Sequence, residues 1–239
     1  MIGSENNYGP MSAVPNGSRD GVLWMAIQHH QKKALEFFSR EIASAGTGMA
    51  PGLTGLVGGR PKVTPVLRLF SFLYPKTDIQ IDIYMNGEHK EKFQPEEVPT
   101  SEYTKSSSQE VQAEGSLQTG NHSYRLEELA YTRSGDKGNM CNIGVVARHP
   151  EILPYLRSQL TQDAVQQYFL HLFDNPSNAN VQRYDLPGIQ AMNFVLPDSL
   201  GGGGIASLRS DPQGKAYGQM LLDFVIKDVP DLSQYTRDQ

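Results

Sequence analysis

Apolar positions follow different spacings along the chain, and each spacing predicts a different element. Between Val22 and Ser44, residues Leu23, Ile27, Ala34, Phe37, Phe38 and Ile42 recur at roughly helical intervals. That spacing predicts a helix, with Asp20 placed to cap its start. Asp78 to Met85 alternates instead, with Ile79, Ile81 and Ile83 on one face, and Lys62 to Leu73 reads the same way. With Pro75-Lys76-Thr77 as the turn, the two runs predict a hairpin. From Tyr124 the runs are shorter. Tyr124 to Tyr131 and Asn142 to Ala147 are strand-like. Glu151 to Phe173 carries a helical apolar face of Leu153, Leu156, Leu160, Val165, Phe169 and Leu172, and Pro150 suits its first turn. Val181 to Tyr184 and Ala191 to Leu196 predict two strands around Leu186-Pro187-Gly188. Tyr217, Met220, Leu221, Phe224 and Val225 predict a last amphipathic helix. The order β-β-α-β-β-α predicts an α+β domain, an antiparallel sheet with two helices on one face.

Polar stretches set the boundaries. Residues 1–20 are rich in Asn, Gly, Pro and Ser and read as loop. Glu88 to Gln118 carries charges, Ser106-Ser107-Ser108 and almost no large apolar residue, so it cannot offset its ordering entropy and is expected to be a mobile linker. The predicted organisation is 1–90, a linker at 91–121, and a compact domain at 122–232. A lone hairpin is marginal in water, and its long apolar strands form an edge prone to pairing with other chains. Self-association or a partner subunit through residues 62–85 is therefore expected.

Composition narrows the function classes. Acidic residues outnumber basic ones by 26 to 21, a net charge of −5, which argues against nucleic-acid binding through a globally basic surface. No apolar run reaches the length needed to cross a bilayer. Cys141 is the only cysteine, so no internal disulfide forms, and the first residues lack the order of a secretory leader. Both features predict an intracellular protein, in the cytoplasm, with the mitochondrion left open. The histidine pair His29-His30 would point about 100° apart on a helix and could not face one metal. No metal is expected. The sequence lacks a Gly-x-Ser-x-Gly elbow, His-Glu-x-x-His and a phosphate-binding Gly-x-x-x-x-Gly-Lys. Gly46-x-Gly48 follows a helix, not a strand, which disqualifies it as a dinucleotide fingerprint, and no cofactor is expected.

The remaining candidate chemistry lies in Arg133-Ser134-Gly135-Asp136-Lys137-Gly138-Asn139, read as a connection between two strands. Two glycines there can take positive φ, and Asp136 can accept hydrogen bonds from nearby backbone N–H groups. Arg133, Lys137, Asn139 and the glycine amides could form an anion-binding concavity; the alternative is an ordinary hairpin loop with solvated charges. With Asn142, the Gly201 to Gly204 loop and Arg209, these residues make a candidate ligand site for a small anion. Asp136 and Lys137 are the weak catalytic candidates, Asp136 as a general acid/base or as the residue that locks the turn. Cys141 reads as either a nucleophile activated by Lys137 or a small buried apolar residue.

Ser134-Gly135-Asp136-Lys137-Gly138 with Asn142-Ile143-Gly144-Val145 resembles the motif that opens the C-terminal domain of the acyclic terpene utilisation (AtuA) family. The glycine run at Leu200 to Gly204, Ser207-Leu208-Arg209 and Asp211-Pro212-Gln213-Gly214-Lys215 match as well. Gly46 to Gly55 looks like the end of the family's large N-terminal domain. The resemblance implies a ferredoxin-like fold for the C-terminal domain, preceded by a helix-plus-hairpin remnant of an α/β domain in a chain that looks N-terminally truncated. It also implies a part in the breakdown of acyclic terpenes or branched acyl compounds, with an anion or acyl-CoA as ligand. A non-catalytic binding or assembly module with a structural turn at 134–138 is the other reading.

Overall fold

The computed structural model describes residue 3 and residues 8–11, 21–55, 59–95 and 117–236. The chain divides into two units, residues 69–116 and residues 1–68 with 117–239. The first helix, α1 (Lys32–Gly48), begins ten residues later than its apolar spacing predicts; Val22 to Gln31 is not helical, and Gln31 itself is extended. Asp20 lies outside the described residues. His29 and His30 therefore sit outside the helix, ring centroids 6.5 Å apart, and His29 Nδ1 accepts the Gln31 N–H at 3.0 Å. Among the described residues no cluster of His, Cys, Asp and Glu could hold a metal ion, and no helix is long and apolar enough to cross a membrane.

In the smaller unit the hairpin is β1 (Ile81–Met85) with β2 (Glu88–Phe93). The predicted partner, Lys62 to Leu73, joins no strand among the described residues. The reason is turn chemistry. Asn86 and Gly87 both take positive φ, +54° and +83°, as a two-residue type I′ turn requires, whereas Lys76–Asp78 forms only a single 3₁₀ turn. Residues 88–93, read as the start of the linker, are the second strand. Residues 96–116 lie outside the described residues.

The larger unit holds the core. β3 (His122–Arg125) leads into a one-turn helix, α2 (Leu126–Leu129), where an unbroken strand was expected. Leu126 and Leu129 are both fully buried three residues apart, a helical interval, and the Glu128 carboxylate accepts the Arg125 N–H at 2.7 Å to close the turn. β4 (Ala130–Lys137) and β5 (Met140–Ala147) follow. The helix predicted over 151–173 is two helices, α3 (Leu153–Gln159) and α4 (Gln162–Tyr168). Thr161 breaks it: its backbone is extended and its hydroxyl accepts the Ala164 N–H at 3.1 Å, an N-cap. β6 (Gln182–Leu186) and β7 (Ala191–Leu196) come next, then α5 (Tyr217–Leu221). The last helix is shorter than predicted. A turn at Leu222-Asp223 ends it before Phe224, and Val225 opens β8 (Val225–Val229), which pairs antiparallel with β3.

The main sheet is antiparallel in the order β4-β5-β7-β6. Its faces differ sharply. Cys141, Ile143, Val145 and Ala147 alternate along β5 and are buried, continuing across the sheet to Met192, Phe194 and Leu196. Leu156, Leu160, Val165 and Phe169 from the helical segments share that core, and Arg183 on β6 donates to the Arg157 and Leu160 carbonyls at 2.8 and 3.0 Å. From the other end, Thr132 Oγ1 donates to the Gly218 carbonyl in α5 at 2.8 Å. Helices thus cover one face of an antiparallel sheet, the expected α+β arrangement. The opposite face carries Tyr131, Val146 and Tyr184 exposed.

Candidate functional site

Residues 133–137 are not a loop. They are the last part of β4, and the connection to β5 is the two-residue turn Gly138-Asn139, with Gly138 at φ +64°. Strand alternation therefore divides the candidate residues between two faces. Arg133, Gly135 and Lys137 lie on the open face, where Arg133 pairs with Gly144 and Gly135 with Asn142. Ser134 and Asp136 lie on the inner face, paired with Ile143 and Cys141. Arg209 belongs to the inner set. The single site assembled from sequence is thus two separate groups.

The inner group holds the hairpin to the polypeptide that follows β7. Ser134 is buried; its hydroxyl donates toward the Gly214 and Lys215 carbonyls at 2.6 and 3.1 Å and accepts the Gly218 N–H at 2.7 Å. Asn139 bridges outward from the turn. Its amide nitrogen donates to Asp174 and Asp198, each at 3.0 Å, and its oxygen accepts the Gly202 N–H at 2.7 Å. Arg209 donates to Asp174 at 3.0 Å and to the Ser199 carbonyl, which also accepts the Tyr217 hydroxyl at 2.7 Å. Two glycines make this fit possible. Gly203, at φ +80°, lies so close to the Gly138 carbonyl that a Cβ would collide with it. Gly214, at φ +60°, covers Cys141, whose sulfur would be 2.7 Å from a Cβ there.

Asp136 does not lock the turn. Among the described residues its carboxylate makes no hydrogen bond to backbone, and its one ion pair is with Lys215 Nζ at 4.0 Å, on a mostly exposed lysine. Pairs of that kind contribute little. The aspartate that binds backbone donors is Asp211, which accepts the Lys215 and Ala216 N–H groups at 3.0 and 2.8 Å. An aspartate opening Asp211-Pro212-Gln213-Gly214 carries the signal for such a turn. Asp174, Asp198 and Tyr217 carried no sequence signal for their roles, since their partners are distant in the chain.

Cys141 is fully buried, and burial pushes its thiol up to about 12; Tyr217 is likewise pushed up to about 12 by burial, against the opposing effect of Arg209. A thiol held neutral in this way is not a nucleophile near neutral pH. Both groups bear on stability. Each keeps its proton in the folded state at a pH where the unfolded chain has lost it, so stability is full below the unfolded values and falls as pH rises toward 12. Melting temperature should decline above about pH 9, the unfolded thiol's range, and Cys141 should resist alkylation at pH 8 until the protein unfolds. Rapid alkylation of the folded protein at pH 8 would show that the thiol is accessible.

Residues 124–227 match the family of the AtuA ferredoxin-like domain. This segment is an AtuA ferredoxin-like domain. The match begins within β3 and ends within β8, so it takes in the main sheet, the helices over it and the strand pair that closes them. The hairpin clamp of the AtuA ferredoxin-like domain lies wholly inside the match. No curated protein and no solved structure matches the chain.

Proposed function

We propose that the AtuA ferredoxin-like domain is a non-catalytic binding or assembly module acting in the breakdown of acyclic terpenes or branched acyl compounds. The observation that supports this reading is the use of the motif's inner side chains. Ser134, Asn139 and Arg209 bind the domain's own backbone and carboxylates, and Cys141 is buried, so their polar atoms are already engaged within the fold. The catabolic setting comes from the family name. The second reading, an anion or acyl-CoA held at 133–139, keeps one point in its favour: Arg133 makes no hydrogen bond or ion pair among the described residues, although Ser134, Asp136 and Arg209 do not face the same way.

Assembly has a further support in the exposed apolar run of Leu67, Leu69, Phe70, Phe72 and Leu73, consistent with association through residues 62–85. The purified chain should show no turnover of branched acyl-CoA thioesters, and light scattering should show association that weakens when Phe70 and Phe72 are both replaced by Ser. Turnover that disappears in Asp136→Asn would contradict the non-catalytic reading. A chain that stays monomeric at all concentrations would contradict association through this run.

A further inference from the structure

The open face of the main sheet carries a charge pattern at odds with the rest of the chain. In register across the four strands, its rows are Tyr131, Val146, Ala191 and Leu186; Arg133, Gly144, Asn193 and Tyr184; and Gly135, Asn142, Val195 and Gln182. None of these twelve residues is acidic. Lys137 extends the face at one end, and at the other the Arg148 guanidinium lies 3.9 Å over the Tyr131 ring. The face is thus purely cationic in a chain whose net charge is −5. The acids of the same strands, Asp136 and Asp185, fall on the opposite, inner side by alternation.

The relief of the face is set by size. The two central strands present Gly144, Asn142, Asn193 and Val195, while the outer strands carry the larger Arg133 and Tyr131 on one side and Tyr184 on the other. Among the described residues a Cβ on Gly144 would meet only the Arg133 carbonyl, at 3.8 Å, which leaves space above it. This makes a shallow trough with tyrosine and arginine walls, residue types favoured at protein interfaces. It is too open to enclose a small ligand.

Resting on the module reading above, we infer that this face docks an acidic segment of a partner protein, its carboxylates meeting Arg133 and its apolar side chains lying over Gly144. Charge complementarity selects the occupant. A second copy meeting the face with its own equivalent face would bring cation against cation, which is unfavourable. Single-stranded nucleic acid needs rings in the path of the bases. Here the central strands carry none, the Tyr131 ring is already covered by Arg148, and the Tyr184 hydroxyl is tied to Gln182 at 2.7 Å.

The test uses the ¹⁵N-labelled full chain and a synthetic peptide alternating Glu with Tyr and Phe, beside the same peptide with Gln for Glu. At low salt the acidic peptide should shift the amides of Asn142, Gly144 and Asn193, the Gln peptide should not, and Arg133→Glu should weaken binding about tenfold without changing the melting temperature. Shifts confined to other regions, equal binding of both peptides, or an Arg133→Glu chain that binds as well as wild type would overturn the inference. So would tighter binding of an oligouridylate at the same amides, or a self-association that Arg133→Glu abolishes. Failure here leaves the non-catalytic reading standing, because that reading is decided by the turnover assay.

Discussion

Gly203→Ala is expected to destabilise the AtuA ferredoxin-like domain by more than about 2 kcal/mol, two effects acting together. The first is conformational. Gly203 sits at φ +80°, and a residue with a Cβ costs about 1–2 kcal/mol in that left-handed region. The second is steric. The new methyl would press on the Gly138 carbonyl, which belongs to the tight turn between β4 and β5 and cannot move without shifting Asn139. Asn139 in turn holds Asp174, Asp198 and the Gly202 amide. At roughly 4 °C per kcal/mol for a domain of about a hundred residues, the variant should melt well below wild type. Gly188→Ala is the control, with an ordinary φ and nothing within 4 Å of a Cβ, and it should melt close to wild type. Equal melting of Gly203→Ala and wild type would mean that the glycine run does not seat against the hairpin as described.

The sequence made β5 and β7 legible because their inward residues are apolar and each strand sits in the interior of the sheet. It misplaced other elements for local reasons that composition alone does not weigh. Asn86-Gly87 outranks a proline turn because both of its residues tolerate positive φ, so the hairpin formed on the far side of Asp78 to Met85. Thr161 divided a continuous helical face because a hydroxyl acceptor satisfies the first amides of a new helix at little cost. Leu126 and Leu129 fold as one helical turn that strand spacing concealed.

The stretch from Arg133 reads as a loop for a different reason. Arg133 to Asn139 reads as loop because its inward residues are polar, so the alternation of burial is invisible in residue types. Ser134 can be buried only because Gly214, Lys215 and Gly218 satisfy its hydroxyl from about eighty positions away, and nothing local announces them. What the sequence did make legible was part of the cast: Asn139 and Arg209 share Asp174 and Asn139 holds Gly202, while Ser134 is joined instead to Gly214, Lys215 and Gly218.

The division of the motif between a structural inner face and a free outer face is tested most directly by comparing neighbours. Ser134→Ala removes the acceptor of the buried Gly218 N–H and the donor to the Gly214 carbonyl, and leaving such groups unpaired costs about 1–3 kcal/mol. Arg133→Ala removes an outward side chain that makes no hydrogen bond or ion pair among the described residues, and its cost should stay within about 0.5 kcal/mol. Thermal melts of the two variants beside wild type make the comparison. The account predicts a clear drop for Ser134→Ala and an unchanged melt for Arg133→Ala. Equal drops, or a larger one for Arg133→Ala, would contradict it.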